Sequence, residues 1–417
     1  MKILHLSTFD EEGGAARAAS RLHRGLLASG TDSWMLVRKK VADRERVLVC
    51  GNEGSFNKAT AMLRPYIDAL PLKFYPNKRK SPWHVAWMPN KLVGSIDAIA
   101  PDIVHAHWLC SGFLSLRNLE QVPTKLVWTL HDSWPFTGGC HIINDCVSFR
   151  ERCGQCPQLG SVYKNDLSSL GLYRKQHLYQ KNQPIFVAPS RWMAEQARTS
   201  SLLADARIEI IPNGLDTSIF QPIDKQLARG LLNLPLDKKI IMFGAMSSTS
   251  DPNKGFEKLK KSLEVLKQSA IKDQIEIVIF GATEPKEKLD IGFRTTYLGR
   301  LHDDVSLAVA YSAADIICIP SIQESFGQVA TEAMSCGTPV VAFATSGLLD
   351  IVDHNITGYL ALPYDEVDFA KGIELLLGNQ SRLITMSIAA RNRVIKNFEI
   401  SVVCSMHSNL YENLIYT

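Results

Sequence analysis

The sequence predicts an α/β protein of two doubly wound domains, each a mostly parallel sheet covered by helices. Three observations carry that prediction. The chain has 417 residues, more than one ordinary core organises. Short, apolar, β-branched segments alternate with amphipathic ones through both halves, the pattern of strands joined by helical crossovers. Between the halves lies Ile211-Pro212-Asn213-Gly214-Leu215-Asp216, where proline and Asn-Gly are turn residues, and a fresh strand pattern begins only after Asp237.

In order, residues 2–7 read as a buried first strand, and Gly13-Gly14-Ala15-Ala16-Arg17 opens a helix to about residue 29. Strands follow at 33–37, 103–107, 125–130 and 185–188. In the second half they recur at 239–243, 275–280, 296–298, 315–319 and 339–342, with helices such as 256–268 between them. Near-continuous apolar strands belong to sheets covered on both faces. The expected domains are 1–215, with a cysteine-rich loop at 138–160, and 216–399. A helical segment at 400–417 is expected to pack back on the first domain.

Composition narrows the function. Hydrophobic residues make up 46% and charged residues 21%, as in soluble globular proteins with ample core. Lys+Arg 46 against Asp+Glu 42 leaves only +4, too weak and dispersed for a nucleic-acid footprint. No apolar run approaches the roughly 18 residues of a membrane span. The first apolar stretch is too short and interrupted for a signal peptide, so a cytoplasmic protein is expected. One segment, 57–92, resists the strand–helix grammar. It interleaves Tyr66, Phe74, Tyr75, Trp83 and Trp87 with Lys73, Lys78, Arg79 and Lys80. It reads equally as a peripheral contact with an anionic membrane surface or lipid-linked acceptor, and as an insertion packed on its own domain.

The richest motif is Pro320-Ser321-Ile322-Gln323-Glu324-Ser325-Phe326-Gly327-Gln328 and the helix-like run after it, which carries Glu332 and ends at Gly337 and Pro339. A strand, a loop and a helix N-terminus make an anion site, because backbone N–H groups and the helix dipole face one spot. A carboxylate in that loop does not bind phosphate. Glu324 reads as a contact to something hydroxylated beside a phosphate, which points to a sugar nucleotide. Lys254-Gly255 follows the strand 239–243, and a lysine over a glycine turn suits a diphosphate. Gly14 lies in a turn where backbone can approach a ligand, but the spacing is not Gly-x-Gly-x-x-Gly, which argues against an NAD enzyme.

His131 ends the strand 125–130, and His105 and His107 end another. The carboxyl ends of strands line the ligand crevice of such sheets, so His131 is a candidate sugar contact. Cys140, Cys146, Cys153 and Cys156 fall in one short segment. Cys-x-x-Cys is a half-site for tetrahedral zinc, and a four-thiolate site would hold a long loop that lacks a core. Disulfides or unligated thiols are the equal alternative. The remaining cysteines, Cys110 among them, read as ordinary buried thiols.

These residues resemble the retaining glycosyltransferases of family 4, whose GT-B architecture sets two Rossmann-like domains facing a central cleft. The resemblance runs nearly end to end. It is most specific at Glu324-Ser-Phe-Gly-x4-Glu332-Ala-Met-x2-Gly337-x-Pro339, at Val187-Ala-Pro-Ser190-Arg-Trp and at Ile211-Pro-Asn-Gly214-Leu-Asp216. The block His131-Asp-Ser-Trp-Pro-Phe-Thr-Gly-Gly-Cys140-His is similar to a bacterial exopolysaccharide subgroup of the colanic-acid type.

The resemblance implies a second domain that binds the nucleotide sugar and a first that binds the acceptor. It implies that Glu332 holds the ribose hydroxyls, Glu324 the sugar, and the amides of Ser325, Phe326 and Gly327 the diphosphate. Lys254 would neutralise the departing β-phosphate, with His131 and Gly14 on the sugar and acceptor side. The donor would be a UDP- or GDP-sugar and the acceptor a glycan or polyprenyl-linked glycan. Transfer would need no cofactor, since lysine, amides and helix dipole supply the positive charge. One departure stands out: where relatives carry an arginine before the lysine, this chain reads Gly244-Ala245-Met246, leaving Arg300 as the substitute. Two rival readings stay open here: a GT-B epimerase of free sugar nucleotides, and a non-catalytic, zinc-stabilised scaffold.

Overall fold

The computed structural model describes residues 1–50, 55–90, 92–245, 248–284 and 291–416, with side chains in the helix Ser55–Asp68 described from residue 62. The chain forms two compact units, Met1–Asn213 with Val403–Thr417, and Gly214–Val402.

The first unit holds seven strands: β1 (Lys2–Phe9), β2 (Asp32–Lys39), β3 (Val47–Val49), β4 (Ile103–Ala106), β5 (Lys125–Thr129), β6 (Ile185–Ala188) and β7 (Ile208–Ile210). All pair in parallel, in the order β3-β2-β1-β4-β5-β6-β7. The central strands are buried almost throughout because helices cover both faces. Register decides which side chains share a face. His5 of β1 lies beside His105 of β4, and the two-residue repeat of a strand puts His107 on the same face.

The second unit holds β8 (Lys239–Gly244), β9 (Ile275–Phe280), β10 (Arg294–Gly299), β11 (Ile316–Ile319), β12 (Val340–Phe343) and β13 (Gly358–Ala361). They form a parallel sheet in the order β10-β9-β8-β11-β12-β13, with one apolar core on each face. Numbered within its own unit, each sheet begins 3-2-1-4. The chain leaves the first strand to one side and returns on the other, so a crevice opens at the carboxyl ends of β1 and β4, and of β8 and β11.

Three strands escaped the sequence pattern: β3, β7 and β13. Each is an edge strand of three or four residues, too short to show a period. The helix after β11 runs Gln328–Ser335, and Gly327, at φ 113°, stands outside it as its N-cap.

One glycine brings the second unit's crevice together. Gly255 sits at φ 71°, and a Cβ added there would stand 1.9 Å from the carbonyl oxygen of Pro320. The loop after β8 thus lies against the end of β11. Gly255→Ala is expected to lower stability by roughly 1–3 kcal/mol through left-handed strain and the clash, read as a lower midpoint in urea unfolding. An unchanged midpoint would mean the two loops do not touch.

Candidate active site

In the second unit, Asp251 caps the short turn Pro252–Lys254, its side chain accepting from the Asn253 amide at 2.9 Å. Asn253 then fastens this loop to the one after β11. Its side-chain amide donates to the Gln323 carbonyl at 2.8 Å, its side-chain oxygen accepts from the Gln323 amide at 3.2 Å, and its own carbonyl accepts from the Ile322 amide at 2.9 Å. With the backbones held, Lys254 Nζ donates to Glu324 Oε1 at 2.7 Å. Their side chains are 23% and 18% exposed, so the pair is largely desolvated yet within reach of a ligand. Burial pushes the Lys254 ammonium down, but Glu324 and then Asp251 push it up further, leaving it above its ordinary value. Lys254 is therefore a fixed cation at neutral pH.

Glu324 is held from behind: its amide donates to Ser346 Oγ at 2.9 Å and its carbonyl accepts from the Gly347 amide at 2.9 Å. Ser325, Phe326 and Gly327 lead from it into the helix Gln328–Ser335. The Phe326 ring is buried and meets Phe398 edge-on at 5.6 Å, so only its backbone can face a ligand. Glu332 is only 3% exposed, and its Oε2 accepts from the Tyr311 hydroxyl at 2.9 Å. Tyr311, which orients this carboxylate, has no motif in the sequence to mark it. Arg300 lies exposed just past β10 at the same carboxyl edge; Met246 and Ser247 lie outside the described residues.

In the first unit Gly14 is exposed at the first turn of the helix Gly14–Ala28. His131 follows β5 and heads a row of imidazoles. His131 Nε2 lies 3.0 Å from His107 Nδ1, and His107 Nε2 lies 3.0 Å from His5 Nδ1. Beside them, His105 bonds Thr129 Oγ1 at 2.7 Å and the Tyr411 hydroxyl at 2.6 Å. Burial lowers His131 to about 4 and His407 to about 3, and holds His5, His105 and His107 well below the ordinary value. The row is neutral at physiological pH. Its inner end, His5, was legible only with the β1–β4 register in hand.

The four cysteines of 138–160 are free thiols in this fold, three of them buried and Cys146 half-buried. Among the described residues, the groups of three or more ligand-type side chains whose donor atoms lie within 4.8 Å of one another are His5–His105–His107 and His84–Cys110–His141. Cys153 belongs to the unit's main core, while Cys140 and Cys156 pack in a satellite with Trp83 and Leu159. Burial pushes the Cys140 thiol up to about 12 and Cys153 to about 11. Polar anchors order the loop. The buried Lys175 ammonium donates to the carbonyls of Trp134 and, at 2.8 Å, Thr137, and the Cys156 amide donates to Asp166 Oδ2 at 2.9 Å.

The segment 57–92 divides. Trp83 is buried and the Tyr75 hydroxyl accepts from the Leu167 amide at 3.1 Å, whereas Tyr66 and Phe74 are 75% and 86% exposed. It is part packed insertion and part apolar surface.

Histidines with depressed pKa values make stability depend on pH in one direction. Below about 6.5 the unfolded chain protonates these five histidines while the folded unit leaves them neutral, so the folded state loses about 1.4 kcal/mol per pH unit for each until its own folded pKa is reached. Stability is thus complete above pH 6.5 and falls as pH drops toward 4. Urea unfolding at pH 7 and pH 5 is expected to show a clearly lower midpoint at pH 5, part of which His131→Gln removes.

The family descriptions "Glycosyltransferase Family 4" and "Glycosyl transferases group 1" match residues 12–219 and 224–397. D-inositol 3-phosphate glycosyltransferases of Mycobacterium bovis and Mycobacterium tuberculosis are 33% identical over 310 residues, 69% of this chain and 57% of theirs. The match thus spans little more than half the length of those curated relatives. Among solved structures, sucrose-phosphate synthase of Thermosynechococcus elongatus superposes with TM-score 0.70 at 21% identity, over 100% of this chain and 99% of that one. Anabaena HepE, solved with UDP and glucose, superposes with TM-score 0.66 at 18% identity, over 99% and 100%. Two family matches that tile nearly the whole chain, on two 3-2-1-4 parallel sheets, lead to one conclusion: the chain belongs to the family 4, group 1 glycosyltransferases of GT-B fold.

Proposed function

We propose that this protein is a retaining glycosyltransferase that moves a hexose-type unit from a UDP- or GDP-sugar to a glycan or polyprenyl-linked glycan in bacterial polysaccharide synthesis. The carrying observation is the Lys254–Glu324 pair at the second unit's switch point, a desolvated cation and carboxylate side by side at the foot of a helix. A nucleoside diphosphate leaving group needs the cation, and the hydroxyls of the sugar beside it need the carboxylate. HepE, a structural neighbour, has been solved with UDP and with UDP-glucose, which favours UDP as the base-bearing half of the donor.

On this reading the second unit binds the donor. Lys254 and the amides of Ser325, Phe326 and Gly327 take up charge as the β-phosphate departs, an interaction that strengthens toward the transition state. Glu324 holds the sugar. Glu332, oriented by Tyr311, holds the ribose hydroxyls. The departing phosphate deprotonates the acceptor hydroxyl on the same face, so the anomeric configuration is kept. His131, neutral at physiological pH, contributes a hydrogen bond rather than a proton, and Gly14 leaves room for the substrate's approach. Transfer calls on no cofactor.

Thermal shift against common UDP- and GDP-sugars is the direct test, since a donor at 100 times its Kd stabilises the fold by about 2.7 kcal/mol. Lys254→Ala is expected to lower kcat by about 10²–10³-fold, while Glu332→Ala chiefly raises the donor Kd. The proposal fails if no sugar nucleotide is bound or hydrolysed and Glu332→Ala behaves as wild type. Donor consumed without acceptor, with no glycoconjugate formed, would identify an epimerase instead.

The exposed Tyr66 and Phe74 beside Lys73, Arg79 and Lys80 support a peripheral site on the cytoplasmic face of the membrane, where a polyprenyl-linked acceptor resides. Co-sedimentation with anionic vesicles is expected to weaken by about 1 kcal/mol for each of these cations replaced by serine. Binding that ignores both charge and the Phe74→Ser change would remove this part of the reading.

A further inference from the structure

Three segments distant in sequence meet beyond the carboxyl ends of β4 and β5. His84 lies on a stretch bonded to the 139–141 turn, its amide donating to the Gly139 carbonyl at 3.0 Å, while the His141 amide donates to the Pro82 carbonyl at 3.4 Å. Cys110 lies in the turn after β4 and is buried. His84 Nδ1 and His141 Nε2 are 2.7 Å apart, and one donor atom from each of His84, Cys110 and His141 falls within 4.8 Å of the others. Three ligands of a tetrahedral ion with bonds of 2.0–2.3 Å stand roughly 3.3–3.6 Å apart. The two imidazole nitrogens need part by only about 0.6 Å to reach that arrangement.

The outer partners are already in place. His141 Nδ1 lies 2.6 Å from Asp132 Oδ2, which also accepts from Trp108 Nε1 at 2.9 Å, and Asp132 Oδ1 accepts from the Trp134 amide at 2.8 Å. His84 Nε2 lies 3.2 Å from Ser111 Oγ. A metal-binding histidine characteristically donates its other N–H to such a carboxylate or oxygen, which fixes the tautomer and turns the free lone pair to the ion. With His141 donating to Asp132, the ion-free pair is a 2.7 Å hydrogen bond from His84 Nδ1 to His141 Nε2, and the Ser111 hydroxyl donates to His84 Nε2. A cation would replace the proton between the rings: His84 takes the other tautomer and donates to Ser111, the two freed lone pairs meet the ion, and the buried Cys110 thiol ionises beside it.

We propose that His84, Cys110 and His141 bind one zinc-class divalent cation, with Asp132 and Ser111 as outer partners and a fourth position open to water. The ligand set selects the class, since two imidazoles and a thiolate suit zinc and not magnesium or calcium. His84 and Ser111 are half-exposed, which gives the ion a path in and out. The other convergent group, His5–His105–His107, is buried throughout and lacks such a path. The ion would tie the turn after β4 to the 131–141 loop, and so fix the loop that carries His131. This inference concerns the first unit alone and does not depend on the donor chemistry proposed above.

The test uses the full chain, stripped with chelator and titrated with zinc chloride or cobalt(II) chloride. The expected result is about one equivalent bound per chain, with a sulfur-to-cobalt charge-transfer band and the visible spectrum of a tetrahedral ion. Cys110→Ala is expected to abolish the charge-transfer band, and His141→Ala to abolish tight binding. The double variant Cys153→Ser, Cys156→Ser is expected to leave both unchanged. Asp132→Asn, which keeps the ligands, is expected to weaken zinc affinity about 10–100-fold. Wild type that takes up no zinc above background overturns the proposal. So does a cobalt spectrum unaltered in Cys110→Ala, or a site lost in the Cys153/Cys156 variant. Zinc is further expected to raise the wild-type melting temperature but not that of Cys110→Ala, a readout that holds even if the variant is less stable at the outset.

Discussion

The contact between Gly255 and the Pro320 carbonyl governs the second unit's crevice. It allows two loops from adjacent strands to touch, Asn253 then joins them, and only afterwards can Lys254 and Glu324 stand 2.7 Å apart. Separating either charge from water has a desolvation cost that the pair offsets only while both members stay in place. The arrangement is therefore better understood as preorganisation than as a source of stability. On the proposed chemistry, a cation held where negative charge would develop need not reorganise when the charge arrives.

The two units use the same strand order but opposite electrostatics. At its switch point the second unit sets an ammonium against a carboxylate, with a buried second carboxylate, Glu332, behind. The first unit presents imidazoles that burial keeps uncharged. A charged site suits a phosphorylated ligand, whereas the imidazole row is mostly interior, with His131 as its partly exposed end. On the proposed function, this contrast in solvation would separate a donor half from an acceptor half.

Much of this was legible in the sequence where chemistry is local. Pro320, Gly327 and Gly337 punctuate the loop and helix that carry Glu324 and Glu332, and Lys254-Gly255 announces its turn. What stayed hidden depends on partners brought together by register or by long loops. Tyr311 reaches Glu332 from another helix, and His5 joins His107 across a strand pair. Cys110 meets His84 and His141 through segments 26 and 31 residues away. Spacing also says nothing of packing: the two cysteines of Cys-x-x-Cys belong to different apolar clusters. Phe326 sits amid the phosphate-loop motif, and its ring is core.

The last helix, Ile400–Tyr416, supplies His407 and Tyr411 to the first unit, and Tyr411 bonds His105 across 306 residues of chain. During synthesis that partner emerges only after the entire second unit. At 5–20 residues per second, His105 waits roughly 15–60 s with one nitrogen of its buried ring unsatisfied. The amino-terminal half thus cannot reach its final packing in the order in which it is made. On the ribosome the whole second unit is made before the helix that supplies His407 and Tyr411 can join the first.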